Sequence, residues 1–306
     1  MTKLFIRWLF LMVLSIGGAS TNERMSEGHP AAPGLITGTV VRVIDGDTVV
    51  VRIKSVSGTL PRDVRTLRSE ETVRYIGVNT PELGHNGQAP DCFATRAKAQ
   101  NEFLTLNKDV TLQLDIEGRD RYSRLLAYVF LGDISKDELV EDRLVNGGFG
   151  WVIAIAPNVW HTKRLLELER EAVRKQEGLW AACEPVPDIE SLTISEIQYV
   201  GDDETLTLIN RGSKKFDLSR WKLVSLPGQI FDFPDGCTLA MDSRLRIHSG
   251  PKADRTATDC SRGELFWTAS LIWNNDGDTA ILQTPQGIVA DFFEYKGGHA
   301  STHAGH

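Results

Sequence analysis

The chain has 306 residues, of which 41% are hydrophobic and 25% charged, and its formal net charge is −7. This length suits two domains better than one, and the negative charge excludes a protein that coats nucleic acid by electrostatics alone. Residues 36–184 carry 20 Lys and Arg against 22 Asp and Glu, and residues 185–306 carry 11 against 17, so any nucleic-acid contact is expected in the first part.

The N-terminal twenty residues have the pattern of a signal peptide. Lys3 and Arg7 precede an apolar stretch over 8–16, and small residues follow. The stretch is too short to span a bilayer comfortably, and no later apolar run approaches the ~20 residues that a span needs. We therefore expect a secreted or extracytoplasmic protein, in the periplasm or at the cell surface, with no stable membrane span. Residues 21–34 are predicted to be a flexible leader.

The next segment predicts a β-hairpin. Two runs rich in β-branched residues, 38–44 and 48–53, flank Asp45-Gly46-Asp47. A third strand over 73–78 follows a polar insertion, which carries Arg62, Arg65 and Arg68.

Helical and strand patterns then alternate up to residue 184. The predicted elements are a helix over 95–106, strands over 110–114 and 125–131, a helix that starts at a Ser135/Glu138 capping box and ends at Gly147-Gly148, and a helix over 161–177. In the first helix, Phe103, Leu104 and Leu106 are expected to form the apolar face. This order predicts a small barrel with helices packed around it.

The composition changes at a short proline-containing linker, 185–192. The following residues alternate strands and turns without a helical period, which predicts a β-sandwich over 193–297. Its predicted strands are 194–199, 205–209, 221–226, 244–248, 279–283 and 288–295. Residues 298–306 are predicted to be disordered.

The four cysteines form an even set that an oxidising compartment would tend to pair. Three pairings are open in principle. If the domain boundary lies near residue 185, Cys92–Cys183 with Cys237–Cys260 is the only pairing that keeps both bridges within domains.

Three motifs carry groups suited to cleaving a phosphodiester, which requires a phosphate-binding group, a base for water and stabilisation of charge on phosphorus. They are Asp45-Gly-Asp-Thr48 at the hairpin tip, Arg74 with Asn79-Thr-Pro-Glu82, and the turn Arg119-Asp-Arg-Tyr-Ser-Arg124. Oxygen ligands of this kind suit calcium, and paired guanidiniums suit phosphoryl oxygens. The same tetrapeptide recurs at Asp276-Gly-Asp-Thr279 without these partners, where a purely structural turn is expected.

The ordered motifs I-D-G-D-T, V-R-Y-I-G-V-N-T-P-E and R-D-R-Y-S-R-L-L-A-Y resemble the staphylococcal nuclease-like, or thermonuclease, family over residues 35–183. The resemblance implies a mixed α+β domain, an OB-type five-stranded barrel with three helices, and calcium-dependent hydrolysis of DNA, RNA or both. By this resemblance, calcium is bound by Asp47, Asn79 and the Thr80 carbonyl, with Asp45 in support. Glu82 accepts a proton from the attacking water, and Arg74 and Arg124 bind the phosphate and its transition state. Tyr122 and Arg121 make further contacts with the substrate.

Motifs around Trp221 and Trp273 resemble the lamin-tail domain, an immunoglobulin-like sandwich, over residues 193–295. The resemblance implies a module for adhesion or placement, with a cell-surface or matrix ligand; a passive stabilising appendage is the alternative.

Two departures from the nuclease pattern leave other functions open. Asn79 stands where the best-known family member has an aspartate, and Ile153 and Ile155 stand where that member has tyrosines that stack on a base. The alternatives are a catalytically weak nucleic-acid-binding barrel and a surface adhesion protein in which the sandwich dominates. The presence of Glu82 and both arginines favours the enzyme.

Overall fold

The computed structural model describes residues 34–84, 87–183, 191–297 and 301–302. The predicted signal peptide, nearly all of the predicted leader and most of the predicted linker lie outside these residues. In the described part of the chain, no helix is both long and apolar enough to cross a membrane.

Strands and helices alternate in the N-terminal part. Its strands are β1 (Leu35–Val43), β2 (Thr48–Ser57), β3 (Glu70–Tyr75), β4 (Val78–Asn79), β5 (Asp109–Gln113), β6 (Leu125–Leu131) and β7 (Trp151–Val152). Its helices are α1 (Ala94–Thr105), α2 (Val140–Asn146), α3 (Thr162–Lys175) and α4 (Leu179–Ala182), with a 3-10 turn at Ile134–Lys136. The predicted strand over 73–78 is therefore divided in two, because Gly77, with a φ of +82°, turns the chain between β3 and β4.

Five of these strands close into a barrel in the order β1-β2-β3-β6-β5. Neighbouring strands are antiparallel except β3 and β6, which are parallel. Alternate side chains of the β-branched strands point inward, where Ile36, Val40, Val49 and Val51 are fully buried. The predicted five-stranded barrel is confirmed, and α1, α2 and α3 pack on it or on one another.

The apolar face predicted for α1 is wrong. Phe103 is 74% exposed, and its ring lies beside the ammonium group of Lys108. Leu106 lies beyond the last residue of the helix, and Leu104 alone of the three predicted residues is buried in the core. Consecutive residues do not share a helix face, so burial of Leu104 turns Phe103 outward.

The predicted capping box of α2 is also wrong. Ser135 lies in the 3-10 turn, where its backbone N–H donates to the Asp133 carboxylate. α2 begins four residues later than the box requires, and Leu139 precedes it without a capping side chain. The Asp133 side chain satisfies the donor locally, so the Ser135 hydroxyl does not start a longer helix.

The C-terminal part consists mainly of strands. They are β8 (Leu192–Gln198), β9 (Glu204–Asn210), β10 (Phe216–Asp217), β11 (Lys222–Ser225), β12 (Ile230–Asp232), β13 (Thr238–Leu239), β14 (Arg244–Ser249), β15 (Thr258–Asp259), β16 (Glu264–Thr268), β17 (Gly277–Gln283), β18 (Val289–Lys296) and β19 (Ser301–Thr302). The sheets β12-β11-β17-β18 and β15-β16-β14-β9-β8-β19 enclose a core that includes Trp221 and Trp273. The predicted all-β sandwich is confirmed.

The C-terminal tail is partly ordered. β19 lies within the segment predicted to be disordered and pairs with β8. The rest of 298–306 lies outside the described residues.

The barrel and the sandwich contact each other along α3 and β18. Lys163 forms an ion pair of 2.6 Å with Glu294, and Arg170 forms one of 2.7 Å with Asp291. The guanidinium of Arg170 also lies 4.1 Å from the ring centroid of Phe292. Apolar residues of the sandwich join the barrel core at this contact, so the two cores are continuous; they are Val224, Ile281, Val289 and Phe292.

Both predicted disulfides form. Cys92 pairs with Cys183, which joins the segment before α1 to the residue after α4, and Cys237 pairs with Cys260 within the sandwich. The first bridge closes a loop of 91 residues, and loop closure restricts the unfolded chain.

Candidate active site

The tip of the β1–β2 hairpin lies against the segment after β4. The backbone N–H of Asp47 donates to the Asp45 carboxylate at 3.2 Å, which closes the turn. A Cβ atom on Gly46 would lie 2.5 Å from the Thr80 hydroxyl oxygen, so only glycine fits here. The acidic tip and Thr80 are therefore in direct contact.

The carboxylate of Asp47 joins these two segments. Its Oδ2 accepts hydrogen bonds from the Thr80 backbone N–H at 2.8 Å and from the Thr80 hydroxyl at 3.0 Å. Its Oδ1 accepts one from the Thr48 hydroxyl at 3.0 Å and lies 3.3 Å from Nη1 of Arg74. Asp47 is only 5% exposed, and these donors compensate for its burial.

Arg74 brings the predicted metal-binding oxygens to one point. Its Nη1 donates to the Val78 carbonyl at 2.6 Å and to the Tyr75 carbonyl at 3.0 Å, and its Nη2 donates to Asn79 Oδ1 at 2.8 Å. The same guanidinium pairs with Asp47, so the Asp47 and Asn79 oxygens meet around one positive charge. The structure thus places Asp45, Asp47, Arg74, Asn79 and Thr80 together.

Asp45 lies in an environment that disfavours its charge. Burial raises its pKa to about 6, and the neighbouring Asp47 carboxylate adds to the effect. Asn101 of α1 donates to the Asp45 carbonyl at 3.0 Å and accepts from the Tyr75 hydroxyl at 2.8 Å. A nearby cation would favour the ionised form of Asp45.

Glu82 lies two residues beyond Thr80 with its side chain exposed. Its backbone N–H donates to the Asp91 carboxylate at 3.1 Å, and its carbonyl accepts from the Asp91 N–H at 2.9 Å. The preceding Pro81 is buried. The backbone at Glu82 is therefore fixed, while its carboxylate has no hydrogen bond or ion pair to another described residue.

The second basic group lies on the turn before β6. Asp120 orients Arg124, because its carboxylate accepts from the Arg124 side-chain Nε at 2.6 Å and from its backbone N–H at 2.9 Å. Tyr122 is 65% exposed, with the guanidiniums of Arg121 and Arg124 at 4.8 and 5.5 Å from its ring. Tyr122, Arg121 and Arg124 thus form a second group.

Strand register relates the two groups. Arg74 of β3 pairs with Leu126 of β6, so Arg124 lies two residues before the partner of Arg74. The described contacts join Arg74 to Asp47 and Asn79 directly, whereas Arg124 contacts its own turn.

Comparisons with known proteins agree with this arrangement. Residues 72–182 match the family model described as staphylococcal nuclease homologue. The thermonuclease of Staphylococcus intermedius is 31% identical over 141 residues, which are 46% of this chain and 74% of that protein. The chain belongs to the staphylococcal nuclease family. The thermonuclease of Staphylococcus hyicus is 28% identical over 142 residues, also 46% of this chain and 74% of that protein.

Two further matches extend the comparison. Endonuclease YncB of Bacillus subtilis is 28% identical over 149 residues, 48% of this chain and 63% of that protein. Residues 185–297 match the model of the Lamin Tail Domain. This region contains the sandwich, so the chain joins a staphylococcal nuclease domain to a lamin-tail domain.

The donor set of the nuclease domain fits a hard divalent cation. Asp45 and Asp47 supply carboxylates, Asn79 supplies an amide oxygen, and Thr80 contacts Asp47 through its backbone N–H and hydroxyl. No group of three or more His, Cys, Asp or Glu suited to a metal occurs in the described part of the chain, so the fit depends on the amide and carbonyl oxygens. Contact of Arg74 with Asp47 and Asn79 shows that a positive charge is stabilised here.

Sequence reasoning missed the residues that support β4 of the nuclease domain. β4 pairs with β7, and a Cβ on Gly150 would lie 2.6 Å from the Asn79 carbonyl oxygen. Glu169 of α3 accepts the Val152 N–H at 2.8 Å, and burial raises its pKa to about 8. The available signal was the position of Glu169 one turn after Leu165, on the core-facing side of the helix.

Proposed function

We propose that the chain is a secreted nuclease that uses calcium to hydrolyse phosphodiester bonds of DNA, RNA or both. The observation that carries the proposal is the convergence of the Asp47 and Asn79 oxygens on Arg74, beside the hairpin tip. The similarity to the Staphylococcus thermonucleases and to endonuclease YncB supports it.

In this proposal the cation is bound by Asp47, Asn79 and the Thr80 carbonyl, with Asp45 in support. Bound calcium supplies positive charge that neutralises a phosphate and the charge that develops on it. Asn79 retains an oxygen donor but lacks a carboxylate charge, so calcium is expected to bind more weakly than at a site with a further aspartate.

Arg74 and Arg124 bind the phosphate. Guanidiniums are always charged and donate to two oxygens at once, which suits a phosphoryl group and its transition state. Asp120 accepts from the Nε of Arg124, and both Nη nitrogens have no hydrogen bond to a described residue. These nitrogens are therefore free to donate to phosphoryl oxygens. Tyr122 and Arg121 contact the neighbouring phosphate.

Glu82 accepts a proton from the attacking water. Its carboxylate is exposed to solvent, and its backbone is fixed by Asp91. A carboxylate within hydrogen-bond reach of a bound water serves as a general base when the phosphate lies beside it.

The test compares the signal-free chain with Glu82→Gln on DNA and RNA, in calcium and in chelator. We expect cleavage in calcium, none in chelator, and a rate lower by roughly 10²–10⁴ for Glu82→Gln. Glu138→Gln, which removes an exposed carboxylate on another loop, is the matched control. Equal cleavage under all conditions, or no cleavage in calcium, would contradict the proposed calcium-dependent nuclease activity. Binding without cleavage would support the alternative, a nucleic-acid-binding barrel, which Asn79 favours.

We also propose export and domain bounds of 35–184 and 193–297, joined by the linker 185–192. The charged and apolar N-terminal pattern supports export, as do two disulfides, which persist in oxidising compartments. N-terminal sequencing of the exported protein tests this: we expect the mature chain to begin near residue 21, and an intact Met1 would contradict it.

The sandwich is proposed to place the enzyme at a cell-surface or matrix ligand. Its excess of acidic residues supports a role other than binding nucleic acid. We expect fractionation to find part of the full chain at the surface of the producing cells, and complete release into the medium would contradict placement.

A further inference from the structure

The loop between β2 and β3 contains a three-residue repeat. Its sequence Pro-Arg-Asp, Val-Arg-Thr, Leu-Arg-Ser places an apolar residue first and an arginine second in each triplet, over residues 61–69. Val64 is buried in the barrel core and Leu67 packs against it, whereas Arg62, Arg65 and Arg68 are exposed. The loop therefore has an apolar side towards the barrel and a basic side towards solvent.

Several contacts fix this loop against the turn that carries Arg124. The carboxylate of Asp63 accepts from the backbone N–H groups of Gly118 and Arg119 at 3.0 and 2.8 Å. Arg119 in turn donates to the Thr66 carbonyl at 2.9 Å. A Cβ on Gly118 would lie 2.2 Å from a methyl of Val64, so the turn and the loop are closely packed.

Arg119 is itself held by a buried carboxylate. Its two Nη nitrogens donate to the two carboxylate oxygens of Glu71, at 2.8 and 3.1 Å, and Glu71 is fully buried. The turn is thus joined to the start of β3 by one bidentate ion pair.

Three acidic residues of this region are already engaged. Asp63 accepts from backbone N–H groups, Glu71 pairs with Arg119, and Asp120 pairs with Arg124. By contrast, four exposed arginines have no ion pair with any described carboxylate; they are Arg62, Arg65, Arg68 and Arg121. These four guanidiniums are therefore available to an anionic ligand, although the chain has a net charge of −7.

This surface adjoins the candidate active site. The loop leads directly into β3, which carries Arg74, and the turn leads into β6 immediately after Arg124. β3 and β6 are neighbours in the barrel, so the exposed arginines lie near β3, which carries Arg74, and near the turn that carries Arg124.

We propose that Arg62, Arg65 and Arg68, with Arg121, form a track that binds the backbone phosphates of a nucleic acid beyond the cleaved bond. The inference rests on the proposed nuclease function and adds an extended, sequence-independent contact to it. Unpaired guanidiniums on a fixed loop suit phosphates, because each contact releases condensed counterions whatever the base.

The test uses the full signal-free chain with Arg62, Arg65 and Arg68 all changed to Ala. The matched control changes Arg211, Arg244 and Arg255, three exposed arginines of the sandwich, to Ala, which alters the net charge equally. Affinity for a labelled single strand of 30 nucleotides is measured in chelator from 50 to 200 mM salt.

Removal of three phosphate contacts should reduce the slope of log affinity against log salt by about 2. The control triple should keep the wild-type slope, and Lys at the three loop positions should restore most of the slope lost with Ala. In calcium, the loop triple should raise the KM for the 30-nucleotide strand more than that for a dinucleotide, because the dinucleotide is too short to reach the track.

The outcomes separate this inference from the proposed function. If the wild type cleaves and the loop triple keeps the wild-type salt slope and KM, the proposed track is wrong and the proposed nuclease function is retained. If the wild type fails to cleave but the loop triple loses affinity, the nuclease is wrong and the nucleic-acid surface stands. If the control triple loses as much salt slope and affinity as the loop triple, the proposed phosphate-binding track is wrong.

Discussion

The tetrapeptide Asp-Gly-Asp-Thr occurs once in each domain, at Asp45–Thr48 and at Asp276–Thr279. Both copies lead into a strand and bury their second aspartate: Asp47 is 5% exposed and Asp278 is 7% exposed. Each buried carboxylate accepts a hydrogen bond from the threonine that follows it. The tetrapeptide thus determines a similar local structure in two unrelated folds.

The surroundings of the two copies differ. Asp47 contacts Arg74 and Thr80 from a separate segment that also carries Asn79. Asp278 instead accepts from the hydroxyl of Ser225 and the amide of Asn274, and no arginine or lysine pairs with it among the described residues. The tetrapeptide therefore specifies the turn, whereas the segment packed against it determines which charged groups surround the buried aspartate.

The largest expected effect comes from removing an arginine of the nuclease domain, which contains the first copy. Arg124→Ala should lower kcat by roughly 10²–10³, because one charged donor to the transition state is lost. Arg74→Ala should also abolish practical activity, and it should destabilise the fold because Arg74 binds two backbone carbonyls. Digestion of plasmid DNA with calcium measures both.

The control for these variants is Arg246→Ala, which removes an arginine that pairs with Glu264 in the sandwich. It should leave the rate of digestion unchanged. Near-normal digestion by Arg124→Ala would refute its assignment as a phosphate-binding residue.

A paired substitution compares the two copies directly. Asp47→Asn should lower activity at a fixed calcium concentration by at least about 100-fold, since loss of groups that only support a metal ligand already costs roughly 10–100-fold. Asp278→Asn should leave activity unchanged. Titration with calcium should show the loss as weaker apparent calcium binding. Equal effects of the two substitutions would mean that the first copy is merely a turn.

Much of the fold follows from the sequence because its patterns are local. The runs of β-branched residues on either side of Asp45 predict the hairpin, and its register is set by alternate burial of residues such as Val49 and Val51. The pairing of Cys92 with Cys183 followed from the domain division alone. The exposed Phe103 could not be predicted, because the barrel determines which face of α1 is buried.

The site was predictable to the extent that its residues lie in ordered motifs. The motifs predict Asp47, Arg74 and Asn79 as parts of one site, and Arg74 contacts both other residues. Support from distant segments was missed: Asn101 lies 56 residues from Asp45, and Glu169 reaches β7 from α3. Such contacts depend on tertiary packing, which no local pattern specifies.

The smallest expected effect is on stability, and it concerns Asp278 in the second copy of the tetrapeptide. Burial raises the pKa of Asp278 from 3.8 to about 6, so the folded protein holds this proton more tightly than the unfolded chain does. Protonated Asp278 therefore stabilises the fold. This contribution to the free energy of unfolding is fully present below about pH 4 and is lost as the pH rises to about 6. Tyr295, which faces Asp278, stays neutral in this range because burial raises its pKa further.

Asp278→Asn should remove this dependence. Relative to the variant, the wild type should lose at most about 3 kcal/mol of unfolding free energy between pH 4 and pH 6.5, since the shift is about two pKa units. Urea unfolding of both proteins across this range measures the difference. A constant difference at all pH values would show that Asp278 is not protonated in the fold. Because the substitution lies away from the nuclease domain, the change in stability should occur without a change in activity, which separates a structural aspartate from a catalytic one within the same tetrapeptide.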